Sequence, residues 1–380
     1  MEGKMATLFD HTIINGMSLE NRMVRSATWE GMCDPDGRPG QRLAPYYRTL
    51  AEGGVGLIIS GYTFVRPDGK QLPGKMGIHD DAFADDFKKL TRTVHEAGGK
   101  IVIQLVHAGG QANPKATGTR TVAPSAVKVD QFPEMPEELS VEGIHDIIRA
   151  FGDGARRAKE WGFDGVQLHG AHGYLINQFL SPQTNLRRDD YGGSVENRRR
   201  FLMEAYQEVR EATGSDFPVM IKLNIGDNLE GGLDTEEALL AVNALSDAGI
   251  DAIEVSSGTS ASGDKTPARK KINRPDREAY NLEMACLAKK AAACPIMSVG
   301  GFRSWEICEK AVSESGLDYI AMSRPLIREP GLPNQWRRGD RSPARCVSCN
   351  SCFGPGLEEG GIYCVPEKKE SSGKNKSEIE

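Results

Sequence analysis

The sequence predicts a (β/α)8 barrel, and three observations carry that prediction. Short apolar runs alternate with longer amphipathic segments eight times between residues 22 and 338. The short runs have the length of buried strands, and the longer segments repeat apolar residues at helical spacing. This order favours a parallel barrel surrounded by helices. An open doubly wound sheet is the alternative, but no Gly-x-Gly-x-x-Gly turn follows the first strand.

Eight strand and helix pairs follow one another along the chain. Strands are expected at 22–28, 56–60, 100–106, 165–168, 218–223, 252–255, 295–299 and 319–322. Helices are expected at 41–53, 82–97, 140–161, 194–212, 235–248, 276–292, 303–315 and 331–338. The final helix is short.

We expect the barrel to occupy residues 1–340, a cysteine-rich segment residues 341–366, and a polar, disordered tail residues 367–380. Two connections are longer than a barrel needs: a cap insertion at 108–139 and an exposed basic loop at 257–275. Both follow strands, so both would border the catalytic face. The loop is either a solvated surface or a contact for a phosphate-bearing nicotinamide or an acidic substrate. Its basic residues are Lys265, Arg269, Lys270, Lys271 and Arg274.

Composition and charge exclude several classes of protein. The 380 residues carry a formal net charge of −6, which gives no basic footprint for nucleic acid or an anionic membrane. No apolar run approaches the ~20 residues of a membrane span, and the first residues lack a signal-peptide core. We therefore expect a cytoplasmic protein that binds neither nucleic acid nor membrane. We also expect a homo-oligomer.

A turn rich in histidine follows the fourth strand and is the first candidate site. His169, His172 and Tyr174 stand where the apolar run 165–168 ends and a loop begins. The glycines among them let the backbone turn sharply, so two imidazoles and a phenol can meet at one point. Their N–H and O–H donors suit a substrate oxygen that becomes negative during reaction. The alternatives are a zinc-binding pair, which needs a third ligand, and an ordinary surface loop.

Three polar residues lie inside apolar strands: Gln104, Gln167 and Lys222. Burying an amide or a charge without a partner is costly. If these side chains face the barrel mouth, a flat heteroaromatic ring with several donors and acceptors would serve all of them. Lys222 would also stabilise a ring that becomes anionic on reduction. The alternative is that the three residues pair with one another or with the outer helices.

The loops after the seventh and eighth strands indicate a phosphate site, because barrels often bind phosphate there. Gly300 and Gly301 follow the seventh strand, and Ser323 and Arg324 follow the eighth. Paired glycines expose backbone N–H groups, while the serine and arginine add a hydroxyl and a bidentate cation. Together the loops point to a phosphorylated cofactor or substrate.

These motifs resemble those of the Old Yellow Enzyme family of flavin mononucleotide (FMN) oxidoreductases. The resemblance runs from about Leu8 to Pro330 and is most specific over residues 169–182 and 185–198, with 104–109 in addition. It implies that FMN is held at the barrel mouth. The implied FMN contacts are Ser26, Ala27 and Thr28 near the ring, Gln104 and Lys222 on the pyrimidine, and Gly300, Gly301, Ser323 and Arg324 at the phosphate.

The resemblance also implies the chemistry of the histidine turn. His169 and His172 would hold the carbonyl or carboxylate oxygen of the substrate, and Tyr174 would protonate its α-carbon. NAD(P)H would reduce FMN, and an activated alkene would then take hydride at its β-carbon. Trp29 departs from the family pattern, in which Cys, Thr or His is common, and is expected to line the substrate pocket.

Other functions share this scaffold. The main expectation is an ene-reductase of α,β-unsaturated carbonyls, enoates or steroid enones; amine dehydrogenation or demethylation is the enzymatic alternative. A non-redox lyase or isomerase would instead hold a phosphorylated substrate in the phosphate loops. A flavin-bearing electron carrier would need no substrate site of its own. A yellow purified protein would exclude the lyase and the isomerase.

Four of the eight cysteines form a C-terminal motif with the spacing C-x2-C-x2-C-x11-C: Cys346, Cys349, Cys352 and Cys364. Such clustering favours reduced thiols over a disulfide scaffold. A [4Fe–4S] cluster, a zinc ion or four unligated thiols all remain open. The motif resembles the cluster site of the dienoyl-CoA reductase and trimethylamine dehydrogenase branch, whose further nucleotide-binding region we do not expect here. A cluster would then exchange electrons with a separate donor such as a ferredoxin, or pin the C-terminal segment to the barrel.

Overall fold

A computed structural model describes residues 5–373 of the chain, and eight parallel strands form its centre. Each strand pairs with its neighbour in chain order, and the first strand pairs with both the second and the eighth, which closes the sheet. The predicted (β/α)8 barrel is therefore confirmed. The strands are β1 (Met23–Arg25), β2 (Leu57–Phe64), β3 (Ile101–Val106), β4 (Gly165–Gly170), β5 (Val219–Asn224), β6 (Ala252–Ser256), β7 (Ile296–Val299) and β8 (Tyr319–Met322).

A helix follows each strand, close to its predicted position. The helices are α1 (Leu43–Glu52), α2 (Ala84–Glu96), α3 (Val141–Glu160), α4 (Val195–Thr213), α5 (Thr235–Asp247), α6 (Leu282–Ala291), α7 (Trp305–Ser313) and α8 (Leu332–Arg337). Helix α6 begins later than residue 276 because Ala279 has a φ of 53°, which an α-helix does not contain. In the described range no helix has the length and apolarity needed to cross a bilayer.

Short helices and 3-10 turns lie in the connections between the barrel strands and helices. The short helices are Pro114–Thr117, Leu175–Leu180, Arg324–Arg328, Phe353–Glu358 and Val365–Ser371, and the 3-10 turns are Pro67–Gly69, Asp81–Phe83, Gly109–Gln111, Gly263–Lys265 and Pro275–Arg277. Met76–Gly77 adds a strand beside the end of β2. The connection at 108–139 is ordered by the pairing of Val122–Ala123 with Glu137–Glu138.

A hairpin of Thr12–Ile14 and Met17–Leu19 contributes apolar side chains to the interior of the barrel. These side chains pack with inward-facing strand residues such as Val24 and Met220. A second, larger apolar layer lies between the strands and the helices. Apolar side chains fill the part of the barrel interior next to the hairpin. The polar side chains of the interior therefore lie at the opposite end, where the strands have their carboxyl ends.

The cysteine-rich segment packs onto the barrel. The amide of Ile362 donates to the carbonyl of Glu30 at 2.9 Å, and the Arg303 guanidinium donates to the carbonyl of Cys346 at 3.2 Å. The segment therefore covers part of the face on which the strands end.

Residues 367–371, which the sequence analysis placed in a disordered tail, belong to the helix Val365–Ser371. Pro366 stands in its first turn, where proline suits a helix. Glu370 also pairs with the buried Arg328 at 2.8 Å, which holds the helix against the barrel. Residues 374–380 of the expected tail lie outside the described residues.

A buried ion pair ties the end of β1 to β2 and α1. The guanidinium of Arg25 donates to the carboxylate of Glu30 at 2.7 Å, and the two side chains are only 1% and 5% exposed. The same carboxylate oxygen accepts from the Tyr47 hydroxyl at 2.6 Å and from the Gly61 amide at 2.9 Å. Since both charges are buried, neither can be removed without leaving the other uncompensated.

We expect Glu30→Gln to lower the free energy of unfolding by about 3–5 kcal/mol, because it leaves the Arg25 charge buried without a counter-ion. Glu52→Gln is the matched control, since Glu52 pairs with Arg48 on an exposed surface of α1; it should cost at most about 1 kcal/mol. Urea unfolding of the two variants measures both values. Similar losses in the two variants would show that the buried pair does not stabilise the barrel as argued.

Candidate active site

An open cavity of about 1130 Å³ lies at the carboxyl ends of the barrel strands. A second cavity of about 530 Å³ adjoins it, since Val299, Ser323 and Phe353 line both. Most of the residues that the sequence singled out meet here. The first cavity is lined by Ser26, Ala27, Thr28, Trp29, Gln104, His169, His172, Tyr174, Lys222 and Ser323, and the second by Gly301, Ser323 and Arg324.

The histidine turn brings its three aromatic side chains together, as the sequence predicts. His172 and Gly173 both have positive φ, 63° and 76°, so the chain reverses sharply after β4. The ring centroid of His169 lies 5.0 Å from that of His172 and 4.8 Å from that of Tyr174. A left-handed conformation is uncommon for a residue other than glycine, and such conformations cluster at functional sites.

Both imidazoles are neutral donors. Burial lowers the pKa of His169 and of His172 well below the usual value, and the Lys222 charge lowers both further. The Ala171 amide donates to Nδ1 of His169 at 3.3 Å, so the ring proton of His169 is on Nε2. Nε2 of His172 lies 2.7 Å from the Ser256 hydroxyl. Neutral imidazoles keep an N–H available to a substrate oxygen without bringing a charge into the cavity.

Tyr174 is held as a protonated phenol. Its hydroxyl donates to Oε1 of Gln71 at 2.7 Å, and the hydroxyl of Tyr62 donates to the same oxygen at 3.1 Å. Burial raises the pKa of Tyr174 above the usual phenol value. The proton therefore stays on Tyr174 at neutral pH, where it is available for transfer.

The polar strand residues form a connected network at the cavity floor. Gln104 donates to Gln167 at 2.7 Å, and Gln167 donates to Glu254 at 2.9 Å. Glu254 also accepts from Ser26 at 2.6 Å and pairs with Lys222 at 3.2 Å. The alternative that the three polar strand residues pair with one another is therefore correct for Gln104 and Gln167, whereas Lys222 pairs with Glu254. Gln104 and Lys222 still line the cavity, whereas Gln167 does not and serves to hold them.

Arg324 forms the far end of the second cavity. Its Nη1 donates to the carbonyl of Arg269 and to the side-chain oxygen of Asn350. Among the described residues its Nε and Nη2 make no hydrogen bond, which leaves two donors for a ligand. The hydroxyl of Ser323 lies 2.6 Å from that of Thr28.

The two glycines after β7 differ in position. Gly301 lines the second cavity with a φ of 78°, a conformation that favours glycine. Gly300 lines neither cavity, and a Cβ built on it would face Tyr280 and Asn281. Only the second glycine of the predicted pair therefore borders the cavity.

Residues 7–341 match the NADH:flavin oxidoreductase / NADH oxidase family. The chain belongs to this family.

Three proteins with similar sequences are an NADH oxidase, a metal reductase and an NADPH dehydrogenase. An NADH oxidase of Thermoanaerobacter brockii is 38% identical over 351 residues, and a metal reductase of Desulforamulus reducens is 35% identical over 347 residues. Each match covers 91% of this chain but only 53% and 51% of the relative, so the chain spans about half the length of these two proteins. An NADPH dehydrogenase of Clostridium acetobutylicum is 35% identical over 85% of this chain and 92% of its own.

Solved structures have the same barrel. A 2-naphthoyl-CoA reductase complex superposes with a TM-score of 0.88 at 28% identity, covering 98% of this chain and 58% of that one. An old yellow enzyme homologue from Zymomonas mobilis gives 0.77 at 28% identity, covering 93% and 98%. Histamine dehydrogenase from Rhizobium gives 0.84 at 26% identity, covering 95% and 52%.

The four cysteines of the C-terminal motif line one small cavity of about 270 Å³, next to Arg324 and Asn350. All are free thiols. Burial raises the pKa of Cys352 to about 11 and also raises the pKa of Cys346 and of Cys364. Nowhere in residues 5–373 are three His, Cys, Asp or Glu side chains arranged to hold a single metal ion.

The basic loop after β6 contributes little charge to the cavities. Its backbone and its uncharged residues Thr266, Pro267 and Ala268 line them instead. The Arg269 guanidinium stacks on the ring of Tyr280 at 4.1 Å, and the other basic side chains of the loop are exposed. The solvated alternative fits most of this loop.

Several residues that line or support the cavity were missed by the sequence analysis. Glu254 carried the same signal as Lys222, a charged residue within an apolar strand, and was overlooked. Tyr62, Gln71 and Lys75 come from β2 and the loop after it, where no periodic pattern marks which side chains turn inward.

Gly173→Ala is expected to reduce turnover with NADH or NADPH by about 10-fold or more, by disturbing the histidine turn. A Cβ at Gly173 would lie 2.3 Å from the side-chain oxygen of Gln131 and 2.8 Å from the side-chain nitrogen of Gln111, which donates to the carbonyl of His172. Gly214→Ala is the control, because Gly214 has the same φ of 76° in open space. Steady-state kinetics and thermal unfolding separate the effects. Equal turnover in the two variants would contradict the role of the turn.

Proposed function

We propose that the chain is an FMN-dependent oxidoreductase that reduces a C=C bond conjugated to a carbonyl or carboxylate, with NADH or NADPH as the donor. The observation that carries the proposal is the convergence of His169, His172 and Tyr174 on one cavity, with both imidazoles neutral and the phenol protonated. Neutral N–H donors next to an acid suit an oxygen that gains negative charge while a neighbouring carbon gains a proton.

The two joined cavities fit FMN. The larger cavity offers Gln104 and Lys222 to a polar ring edge, and the smaller one offers the unpaired donors of Arg324 and the exposed backbone at Gly301 to a phosphate. When bound, FMN would supply hydride chemistry between a nicotinamide and the substrate. Glu254 and Ser26 hold the Lys222 ammonium, so this cation stays fixed beside the ring position.

The residues of the histidine turn have two different roles in the proposed reaction. His169 and His172 orient the substrate oxygen and stabilise its charge in the transition state. Tyr174 delivers a proton to the α-carbon, and Gln71 positions its hydroxyl at 2.7 Å. Trp29 closes one side of the cavity, where its indole donates to the carbonyl of Pro73 at 3.0 Å.

Oxidation of an amine is the second candidate, supported by the likeness to histamine dehydrogenase. The charges of the cavity oppose it. Two neutral imidazoles and two buried lysines, Lys75 and Lys222, line the wall, and only Lys222 is paired with a carboxylate. Such a lining disfavours a protonated amine. We therefore place alkene reduction first.

Tyr174→Phe should slow alkene reduction by about 10²-fold or more, because it removes the proton donor, and it should slow the oxidation of NADH or NADPH far less. Tyr206→Phe is the control, since its hydroxyl donates to the Ala248 carbonyl outside the cavity. Anaerobic stopped-flow spectra of the yellow protein resolve the two half-reactions, with enones and enoates as substrates. A colourless protein, or equal slowing of both steps, would count against the proposal.

We further propose that Cys346, Cys349, Cys352 and Cys364 hold a [4Fe–4S] cluster. The support is that all four thiols line a single cavity and have the spacing C-x2-C-x2-C-x11-C. The raised pKa values of Cys346, Cys352 and Cys364 favour the protonated thiols, and a bound metal would displace these protons. A cluster there would exchange electrons with a separate donor, for instance a ferredoxin, or serve only to fix the C-terminal segment.

Anaerobically purified protein should contain about four iron and four sulfide per chain. Cys352→Ser should lose most of both, whereas Cys294→Ser, a buried cysteine elsewhere in the barrel, should keep them. Iron, sulfide and zinc assays decide the outcome. Stoichiometric zinc would replace the cluster, and absence of all three would leave four free thiols.

A further inference from the structure

Lys75 is a buried lysine in the cavity wall, and none of residues 5–373 forms a hydrogen bond with its ammonium. The residue is 4% exposed and lines the cavity, and its ammonium makes no hydrogen bond or ion pair within the described chain. The ammonium lies 3.1 Å from the ring centroid of Tyr62. A cation–π contact offsets only part of the cost of burying a charge. An ammonium in this position therefore has unused capacity to bind an anion.

The chain holds Lys75 in place. The carbonyl of Pro73 accepts from Trp29 at 3.0 Å, and the carbonyl of Gly74 accepts from the Cys33 amide at 3.2 Å. A Cβ on Gly74 would lie 2.7 Å from the backbone carbon of Gly31, so the two segments are in close contact. The lysine thus belongs to an ordered wall.

The other charged side chain of the larger cavity, Lys222, is already compensated, and so is the buried Arg25. Arg25 is paired with Glu30, whose Oε1 also accepts from Tyr47 and Gly61, and Lys222 is paired with Glu254. Both imidazoles are neutral. Of the charged side chains that line the larger cavity, Lys75 is consequently the one for which the described chain supplies no counter-ion.

We infer that Lys75 binds a carboxylate of the substrate, so that the substrates are α,β-unsaturated carbonyl compounds that also carry a carboxylate. The Tyr62 ring beneath Lys75 lies 5.1 Å from the ring of Tyr174 and 6.4 Å from that of His169. A carboxylate on Lys75 is therefore close to the reacting carbons while the histidines hold the carbonyl oxygen. The statement that the substrate is reduced rests on the proposed function. The statement that Lys75 binds a carboxylate does not.

Electrostatics supports this assignment. Burial lowers the pKa of Lys75 well below the usual lysine value, while Glu30 and Cys33 oppose that shift. A bound carboxylate would favour the ammonium form again, since an opposite charge in a buried site stabilises the ionised state.

The test compares trans-4-oxo-2-pentenoate with its primary amide, which has the same shape and no charge. In Lys75→Met holoprotein, kcat/KM for the acid divided by that for the amide should fall about 30-fold or more, the effect of removing one partner of a buried charge pair. Lys70→Met is the matched control. Lys70 is buried in the same segment, but it donates to the Pro35 carbonyl at 2.6 Å and does not line the cavity. This variant should keep the ratio.

Binding of 4-oxopentanoate, which has no alkene to reduce, is measured by calorimetry in the same proteins. Its Kd should rise by a similar factor in Lys75→Met only. If the unmodified protein reduces neither compound but binds 4-oxopentanoate through Lys75, the proposed function fails and the anion site stands. If it reduces both with a ratio that Lys75→Met leaves unchanged, only the anion site fails.

Should Lys75→Met fail to fold, Lys75→Arg and the unmodified protein still decide the question. Lys75→Arg retains the charge and should retain a preference for the acid over the amide. A preference of the unmodified protein for the amide would overturn the inference.

Discussion

Compensation of two buried cations, Arg25 and Lys222, organises the mouth of this barrel. Glu30 neutralises Arg25 and at the same time joins β1, β2 and α1 through its hydrogen bonds. Glu254 does the same for Lys222 and connects, through Gln167 and Ser26, to the cavity floor. The two ion pairs therefore also fix the positions of the strands that form the cavity walls. Rigid walls allow small donors to be aimed at one substrate oxygen.

The strand ends were predictable because their signal is local. A polar side chain inside an apolar strand needs a polar partner, and this requirement predicted that Gln104 and Lys222 face the barrel mouth. The same reasoning placed His169 and Tyr174 at one point, since a turn directly after a strand leaves little freedom. It did not foresee that Glu254 would connect Gln167 and Lys222, because cross-strand pairing depends on register between strands that are distant in sequence.

The parts that sequence did not reveal depend on tertiary contact. Gln71 and Lys75 lie in a loop without periodicity, and contacts with Trp29 and Gly31 hold that loop in place. The start of α6 was misplaced because positive φ at Ala279 leaves no compositional mark. The helix that includes residues 367–371 is polar in sequence and is fixed by pairing with the barrel, which composition alone does not encode.

Asn350 connects the cysteine-rich segment to the smaller of the two joined cavities, because its side-chain oxygen accepts a hydrogen bond from Arg324. Cys346 and Ser348 line both the cysteine cavity and the smaller of the two joined cavities. Whatever orders this segment also orders Arg324. Any coupling between the occupancies of the two cavities would have the same free energy in both directions. The two cavities share a wall formed by Arg324, Cys346 and Ser348.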